Sequence, residues 1–331
     1  MNAKNFNIYT IKAENIDAIK AAFFADNFTK HKLKPRHKTQ ESSTGFAPVL
    51  SLELDEKGAL MHDIGGAIVF KVAQEKAVIK TSAIDLDAAK AIGKIPDIDR
   101  AGQYEVKNRI RAEHIAQAKT ELFAWWGWFD YTAGLLFVGA NGVTSDEIIA
   151  KLREGLDGLP VTLIKTQNDP GQVLTNICRD PQAGGEAVET PAGFYAMQIA
   201  MGEHVKLKGL ESSEITLKGA GAEIIATAID WGYCVANADI VVNGRVSLKI
   251  DDKLQIKNFK TIDGQVSPGE IEESDDELAN QLANWQAGAF LTINEARILA
   301  KTLVSVMGAG GGVDLIKGES PPGANLNLTY K

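Results

Sequence analysis

The stretch Trp125–Val138, WWGWFDYTAGLLFV, is the most informative segment for the fold. It holds three of the five tryptophans of the chain, together with Phe129, Tyr131 and Phe137. Aromatic residues favour strands, and Thr132–Gly134 supplies a turn between two of them. The segment therefore predicts an antiparallel hairpin whose aromatic rings fill a core or a subunit interface, with base stacking as the alternative.

Strand patterns also occur on both sides of this hairpin. Residues Asn5–Ile11 alternate apolar and polar side chains, which is typical of a strand with one solvated face. Further strands are predicted at Gly45–Glu53, Gly66–Val72, Val161–Ile164, Glu223–Trp231, Val246–Ile250 and Leu254–Phe259. The last two flank the turn Asp251-Asp252-Lys253, so we expect them to form a second hairpin.

Helical periodicity replaces the strand pattern between Ile84 and Leu122. Pro96 and two glycines interrupt it within Gly93–Gly102, which indicates two helices in a hairpin, the second spanning Tyr104–Phe123. Other helices are predicted at Asn15–Phe28, from Ser145 to Gly158, and at Asn294–Met307. The sequence thus predicts an α+β fold with mixed, mainly antiparallel sheets and a helical hairpin.

Composition is that of a soluble globular protein. With 331 residues and 45% hydrophobic content, the chain is long enough for two or three domains of about 100–200 residues each. No secretory signal and no apolar run near the ~18 residues of a membrane span occurs, so a cytoplasmic location is expected. The two cysteines, Cys178 and Cys234, form no metal-binding or disulfide pattern and are expected in the core.

The charge balance does not decide the partner. There are 43 acidic and 35 basic residues, a net charge of −8, but phosphate binding depends on local Lys and Arg density. Lys30–Lys38 (KHKLKPRHK) is the densest basic run, and it is either a solvated loop or a loop that faces phosphate. A second basic zone contains Lys249, Lys253, Lys257 and Lys260.

Signals of catalysis are missing from the sequence. There is no GxSxG or HExxH motif, and the five histidines are scattered along the chain. The carboxylate pairs Asp85/Asp87 and Asp251/Asp252 favour caps or turns over a Mg²⁺ site, and Gly308–Gly312 is better interpreted as a flexible tail than as a phosphate loop. We therefore predict a protein that is not an enzyme and that carries no cofactor or metal.

A series of landmarks in a fixed order resembles the RdgC family of recombination-associated proteins. The landmarks are KNFNIYTI at 4–11, Gly45-Phe46-Ala47-Pro48, Trp128-Phe129-Asp130 with Gly134-Leu135-Leu136, Leu152–Pro160, Ser213-Glu214-Ile215, Ala228-Ile229-Asp230-Trp231, Leu254–Phe259 and Glu295–Gly308. No single motif is diagnostic, and the likeness rests on the shared order. Two departures are Ala116–Phe123, which lacks the family's proline and arginine, and about fifteen residues after Trp231 that look inserted.

The resemblance implies a ring-forming homodimer that encircles duplex DNA without reading its sequence and modulates RecA-dependent recombination. RecA would be affected indirectly, through the shared DNA, and the protein would be associated with the nucleoid. Lys208 and Lys257 fall where the family carries basic residues, and local charge adds Lys206, Lys253 and Lys260 as DNA-binding candidates.

The same resemblance implies the domain organisation. Residues 1–83 and 124–170 would form a central α+β domain, residues 84–123 a helical hairpin at the tip that makes one dimer contact, and residues 171–317 a base domain. Residues 318–331 would be a flexible tail. Two alternatives stay open: a metal-dependent nuclease of recombination intermediates, and a protein-interaction module without DNA binding.

Overall fold

The computed structural model describes residues 3–25, 27–185, 187–190, 193–196, 198–262 and 276–308. The strands are β1 (Asn7–Ile11), β2 (Ser42–Ala47), β3 (Met61–Ile64), β4 (Ala67–Ala77), β5 (Thr120–Asp130), β6 (Leu135–Val138), β7 (Val161–Leu163), β8 (Ala187–Thr190), β9 (Gly193–Ala196), β10 (Ile199–Lys208), β11 (Glu214–Lys218), β12 (Cys234–Val242), β13 (Val246–Asp251) and β14 (Ile256–Thr261). The helices are α1 (Ala13–Phe23), α2 (Asn27–Lys30), α3 (Thr81–Ile92), α4 (Arg100–Gln117), α5 (Val143–Gly155), α6 (Pro170–Arg179), α7 (Ala222–Asp230) and α8 (Glu277–Met307).

The first sheet is built around the predicted aromatic hairpin. Strands β5 and β6 form this hairpin, and the strand order is β2-β4-β5-β6-β1-β7, with β3 also paired to β4. Alternating residues of β5 face opposite sides of the sheet, so Phe129 packs with helices α1 and α5 while Trp128 faces the second sheet. Both faces of the sheet are therefore covered at the aromatic hairpin, whereas the first half of β5 is exposed.

The second sheet has the order β11-β10-β12-β13-β14, and all its neighbouring strands are antiparallel. Its inner face packs against the first sheet through Phe6, whose ring lies 5.5 Å from Trp128 and 5.2 Å from Phe259 between centroids. Helix α8 completes this shared core with the apolar residues Ala289, Ile293, Ala296, Leu299, Ala300, Leu303, Val304 and Met307. A third, two-stranded sheet pairs β8 with β9.

Buried ion pairs attach α8 to both sheets. Arg297 donates from Nε to Asp130 Oδ2, at the end of β5, and from Nη2 to the backbone oxygen of Gly65 at 3.3 Å. Glu295, only 1% exposed, accepts two hydrogen bonds from Arg245 in the β12–β13 turn. Because buried charges are costly unless paired, these contacts fix the position of α8 along its axis.

The mixed α+β fold with antiparallel sheets is confirmed, and so are the two hairpins of strands. The helical hairpin is also present as α3 and α4, which pack against each other. The second helix was predicted too long, because Ala118 is extended and Thr120 already pairs with Ala77 of β4. Leu122 and Phe123 therefore belong to β5.

The strand predicted at Glu223–Trp231 is wrong, because these residues form α7. Its buried Ala228 and Ile229 follow Ile224 and Ile225 at a spacing of four, which also fits one helix face. The prediction of one solvated face for β1 is wrong as well. All five residues of β1 are buried, since the strand lies between β6 and β7 and is covered on both faces.

Smaller corrections concern the bounds of elements and one cysteine. The strand predicted to reach Glu53 ends at Ala47, before Pro48, and the helix predicted to span Asn15–Phe28 is split into α1 and α2. The last helix begins at Glu277 instead of Asn294, and α5 begins at Val143 instead of Ser145. Cys178 is buried as expected, but Cys234 is exposed. Residues 309–312 of the glycine-rich segment and the tail 318–331 lie outside the described residues.

Candidate nucleic-acid interface

The outer face of the second sheet collects basic side chains. Buried residues alternate with outward-pointing ones along β13 and at the end of β10, Val205–Lys208. In β14 the buried Ile256 and Phe259 are three positions apart, at the irregularity in its pairing with β13. The outward set comprises the lysines Lys206, Lys208, Lys218, Lys249, Lys257 and Lys260 and the carboxylates Glu214, Asp239 and Asp251. We call this surface the lysine face. Cations outnumber anions on it although the whole chain is acidic.

Four of the five predicted DNA-binding residues lie on the lysine face. Lys206 and Lys208 belong to β10, and Lys257 and Lys260 belong to β14. Because β12 and β13 lie between these strands, the two groups are about 14 Å apart at the usual strand spacing. Lys253 is exposed in the β13–β14 turn, at the rim of the face.

Ion pairs neutralise part of the lysine face. Lys206 Nζ lies 2.8 Å from Glu214 Oε2, and this hydrogen bond holds the pKa of the Glu214 carboxyl below its ordinary value. Asp239 accepts from His204 Nδ1 at 2.7 Å and lies 3.4 Å from Lys249 Nζ. Within the described ranges, Lys208, Lys218, Lys253, Lys257 and Lys260 form no ion pair, so their charges remain available to an external anion.

Two lysines of β13 and β14 are register partners. Lys249 lies directly opposite Lys257 in the register of the two strands. Directly opposed like charges destabilise a sheet pair by a few tenths of a kcal/mol or more. The Asp239 carboxylate, 3.4 Å from Lys249 Nζ, offsets part of this repulsion.

Sequence reasoning missed Lys218 as a candidate and had placed Lys249 only in the general basic zone. Lys218 ends the segment Glu214–Lys218 (EITLK), whose strict alternation of polar and apolar residues is the signal that could have found it. The pairing of Lys206 with Glu214 depends on the β10–β11 register, which sequence patterns did not predict.

The other candidate groups have structural partners. Asp85 pairs with Lys107 at 2.7 Å, Asp87 contacts Lys90 and His114, and Asp251 Oδ1 accepts backbone hydrogen bonds in its own turn. Hydrogen bonds from His114 and Lys90 lower the pKa of Asp87. In the described part of the chain, no group of three or more His, Cys, Asp or Glu side chains has the arrangement needed to hold a metal ion.

The basic run Lys30–Lys38 lies at the first sheet, away from the lysine face. Its Arg36 has a structural role, because the backbone N–H donates to Glu75 Oε2 at 2.8 Å and the guanidinium reaches the backbone oxygens of Gln40 and Ile115. Through these hydrogen bonds of Arg36, the loop links β4 to the end of α4. The side chains of Lys34 and Lys38 in this loop are exposed.

No helix in the described ranges is both long enough and apolar enough to span a membrane.

Comparison with known proteins identifies a family over nearly the entire chain. Residues 1–310 match the family model described as "Putative exonuclease, RdgC". The chain is also 24% identical over 274 residues to a "Recombination-associated protein RdgC" of Dechloromonas aromatica (strain RCB), covering 78% of this chain and 84% of the relative. The chain therefore belongs to the RdgC family, and it is a recombination-associated protein.

Proposed function

We propose that this protein binds duplex DNA without sequence preference, as a homodimer closed into a ring around the duplex. The observation that carries the proposal is the lysine face, where five lysines of the face and its rim are free of ion pairs within the described residues. Lysine ammonium groups bind phosphates as point charges and carry little base information. A sheet face that carries such side chains suits the DNA backbone better than the base edges.

Ring closure needs two separate contact surfaces on each subunit. The helical hairpin at residues 84–123 is the proposed tip contact, and the base domain at 171–317 supplies the other. Large apolar side chains exposed on and beside the hairpin support the first contact, namely Leu86, Ile95, Tyr104, Leu122 and Phe123. A second copy would cover this surface, which a solitary monomer leaves in water.

The proposed consequence for recombination is indirect. A protein that encircles the duplex occupies the substrate on which RecA-driven strand exchange proceeds, so it restrains RecA without contacting it. This role places the protein on the nucleoid, in the cytoplasm. The test is a strand-exchange assay, in which added protein is expected to slow exchange in proportion to the duplex it covers.

The salt dependence of duplex binding tests the DNA contact directly. If about six phosphates are neutralised, the logarithm of the association constant falls with the logarithm of salt concentration with a slope near −5. Fluorescence anisotropy with two duplexes of unrelated sequence measures both the slope and the sequence preference, while light scattering on the same samples gives the mass. A flat salt response, or a strong preference for one sequence, would contradict phosphate-based binding.

The description of the matching family as a putative exonuclease favours one second candidate, an exonuclease. A duplex labelled at its 5′ end and another labelled at its 3′ end, each incubated with and without Mg²⁺, separates the two functions. Stable binding without loss of label supports the ring. Progressive, Mg²⁺-dependent shortening from one end would identify the nuclease instead.

A further inference from the structure

A histidine, His204, shares the outer face of the second sheet with the lysines. It belongs to β10, where the next residue, Val205, is buried and Lys206 points outward, so His204 lies on the same side as Lys206. Its side chain is 33% exposed, and within the described ranges it forms no ion pair with the preceding residue, Glu203. The other histidines of the chain lie outside the second sheet, namely His31, His37, His62 and His114.

A row of ionisable side chains that crosses all five strands contains His204. His204 is the register partner of Lys218 on β11, and its Nδ1 lies 2.7 Å from Asp239 Oδ2 on β12. Asp239 is the partner of Lys249 on β13, which lies opposite Lys257 on β14. At the usual strand spacing the row is about 19 Å long. A protonated His204 adds a fourth cation to the three lysines and one carboxylate of this row.

The contact with Asp239 fixes which ring nitrogen of His204 carries the proton. An ionised carboxylate only accepts hydrogen bonds, so Nδ1 is the donor. Nε2 has no hydrogen-bond partner in the part of the chain that the structure describes. In the neutral ring Nε2 is therefore an acceptor whose lone pair repels a phosphate oxygen, whereas in the imidazolium it is a donor.

The charges around His204 come from three strands. Lys206 on β10 and Lys218 on β11 disfavour a further positive charge, and Asp239 on β12 favours it. Glu214 on β11 is bound to Lys206, and this hydrogen bond lowers the pKa of the Glu214 carboxyl. Glu214 therefore stays ionised over the range in which histidines titrate, about pH 5 to 8. An external phosphate would compensate the excess of cations that protonation of His204 creates.

We propose that His204 is a phosphate contact of the lysine face that works through its protonated imidazolium, with Asp239 as its positioning residue. The proposal rests on the proposed duplex binding and names a side chain that strengthens this binding as the pH falls. Because the phosphate binds the protonated ring, DNA binding takes up a proton. By linkage, the association constant rises as the pH falls through the range in which the ring is protonated.

The pH dependence of duplex binding tests this contact. At constant ionic strength, lowering the pH from about 8 to about 5.5 is expected to raise the association constant of the unaltered protein about tenfold more than that of His204→Gln, since hydrogen bonds between charged groups are strong. His62→Gln is the matched control and is expected to keep the full pH dependence. His62 also faces a carboxylate, with Nε2 at 3.6 Å from Asp55 Oδ2, and is 25% exposed, but it lies in the first sheet.

The measurement is fluorescence anisotropy over a pH and salt series, after circular dichroism has shown that the variants are folded. At the lower pH the salt slope of the unaltered protein is expected to steepen by about 1 for each His204 contact, and that of His204→Gln is not. An identical pH dependence of the two proteins would overturn the His204 contact and leave duplex binding intact. No duplex binding by the unaltered protein at any pH would overturn the proposed function and this contact together.

A permanent cation at the same position gives a second readout. His204→Lys carries its charge throughout the range, so at about pH 8 it is expected to bind within about threefold of the unaltered protein at about pH 5.5. Most of the pH dependence is expected to be lost. Binding by His204→Lys that is as weak at the higher pH as that of the unaltered protein would contradict a phosphate contact at this position.

Asp239→Asn tests the positioning role. An asparagine amide can donate to Nδ1, so the neutral ring can then carry its proton on Nε2 and contact phosphate at the higher pH. Loss of the carboxylate is expected to raise affinity at both pH values, while the pH-dependent gain shrinks to less than about threefold. A rise by the same factor at both pH values would show that Asp239 acts through its charge alone and would overturn its positioning role.

Discussion

Replacing Asp130 by alanine is expected to lower the free energy of unfolding by about 3–5 kcal/mol, because the change leaves a buried guanidinium without its carboxylate. Asp130 is fully buried, and its Oδ2 accepts from Arg297 Nε. Its Oδ1 accepts from the backbone N–H of Thr132 and Ala133 and from the Thr132 hydroxyl. The substitution thus removes three hydrogen bonds that hold the turn of the aromatic hairpin and one of the two ion pairs that attach α8.

Urea unfolding followed by circular dichroism measures this loss. The double variant Asp130→Ala/Arg297→Met removes both charges and is expected to be more stable than Asp130→Ala alone. Glu41→Ala is the matched control, because Glu41 forms an exposed pair with Arg111 at 2.7 Å and its loss is expected to cost under about 1 kcal/mol. Equal effects of Asp130→Ala and Glu41→Ala would contradict the structural role of the buried pair.

The aromatic hairpin could be predicted because its signal is local. Trp125–Val138 combines strand-favouring aromatic residues with a turn, and no distant contact is needed to recognise either. The same holds for the β13–β14 turn. By contrast, Asp130 stood out only as a landmark, since its partner Arg297 is 167 residues away and no pattern joins the two.

Errors arose where tertiary contacts outweigh local patterns. Helix α7 contains a short apolar run that fits a strand or a helix, and its packing on α6 decides the outcome. Helix α8 was not predicted as one continuous helix, because its buried residues begin only at Ala289 and the amphipathic signal is weak before that point. Cys234 is exposed because it belongs to the outer row of β12, which depends on the register of that strand.

The lysines of the candidate site could be predicted from the sequence, but their arrangement on one face of the second sheet could not. Local charge marked Lys206 of β10 together with Lys253 and Lys260, and the resemblance to the family added Lys208 of β10 and Lys257 of β14. That both groups share one face follows from the three successive antiparallel registers of β10–β12, β12–β13 and β13–β14. The β10–β11 register in turn brings Lys206 to Glu214, while Lys208 forms no ion pair in the described residues. The sequence alone therefore indicated that the region is basic, but it did not show which lysines are neutralised by ion pairs.

Changing Lys253, Lys257 and Lys260 together to glutamate is expected to weaken duplex binding at least about 100-fold at physiological salt, since three favourable phosphate contacts become repulsive. The loss should be equal for duplexes of unrelated sequence, because contacts to phosphate carry no base information. The slope of the salt dependence should also become shallower by about 3. Anisotropy titrations with two duplexes over a salt series give all three quantities.

A control of equal net charge separates local contacts from the overall field. Lys57, Lys80 and Lys165 are exposed and lie outside the lysine face, so changing them to glutamate alters the charge of the chain by the same amount. Long-range repulsion at physiological salt is screened within about 8 Å, and the control is therefore expected to lose less than about fivefold in affinity. Equal losses in the two variants would mean that duplex binding follows total charge, and the lysine face would then not be the DNA contact.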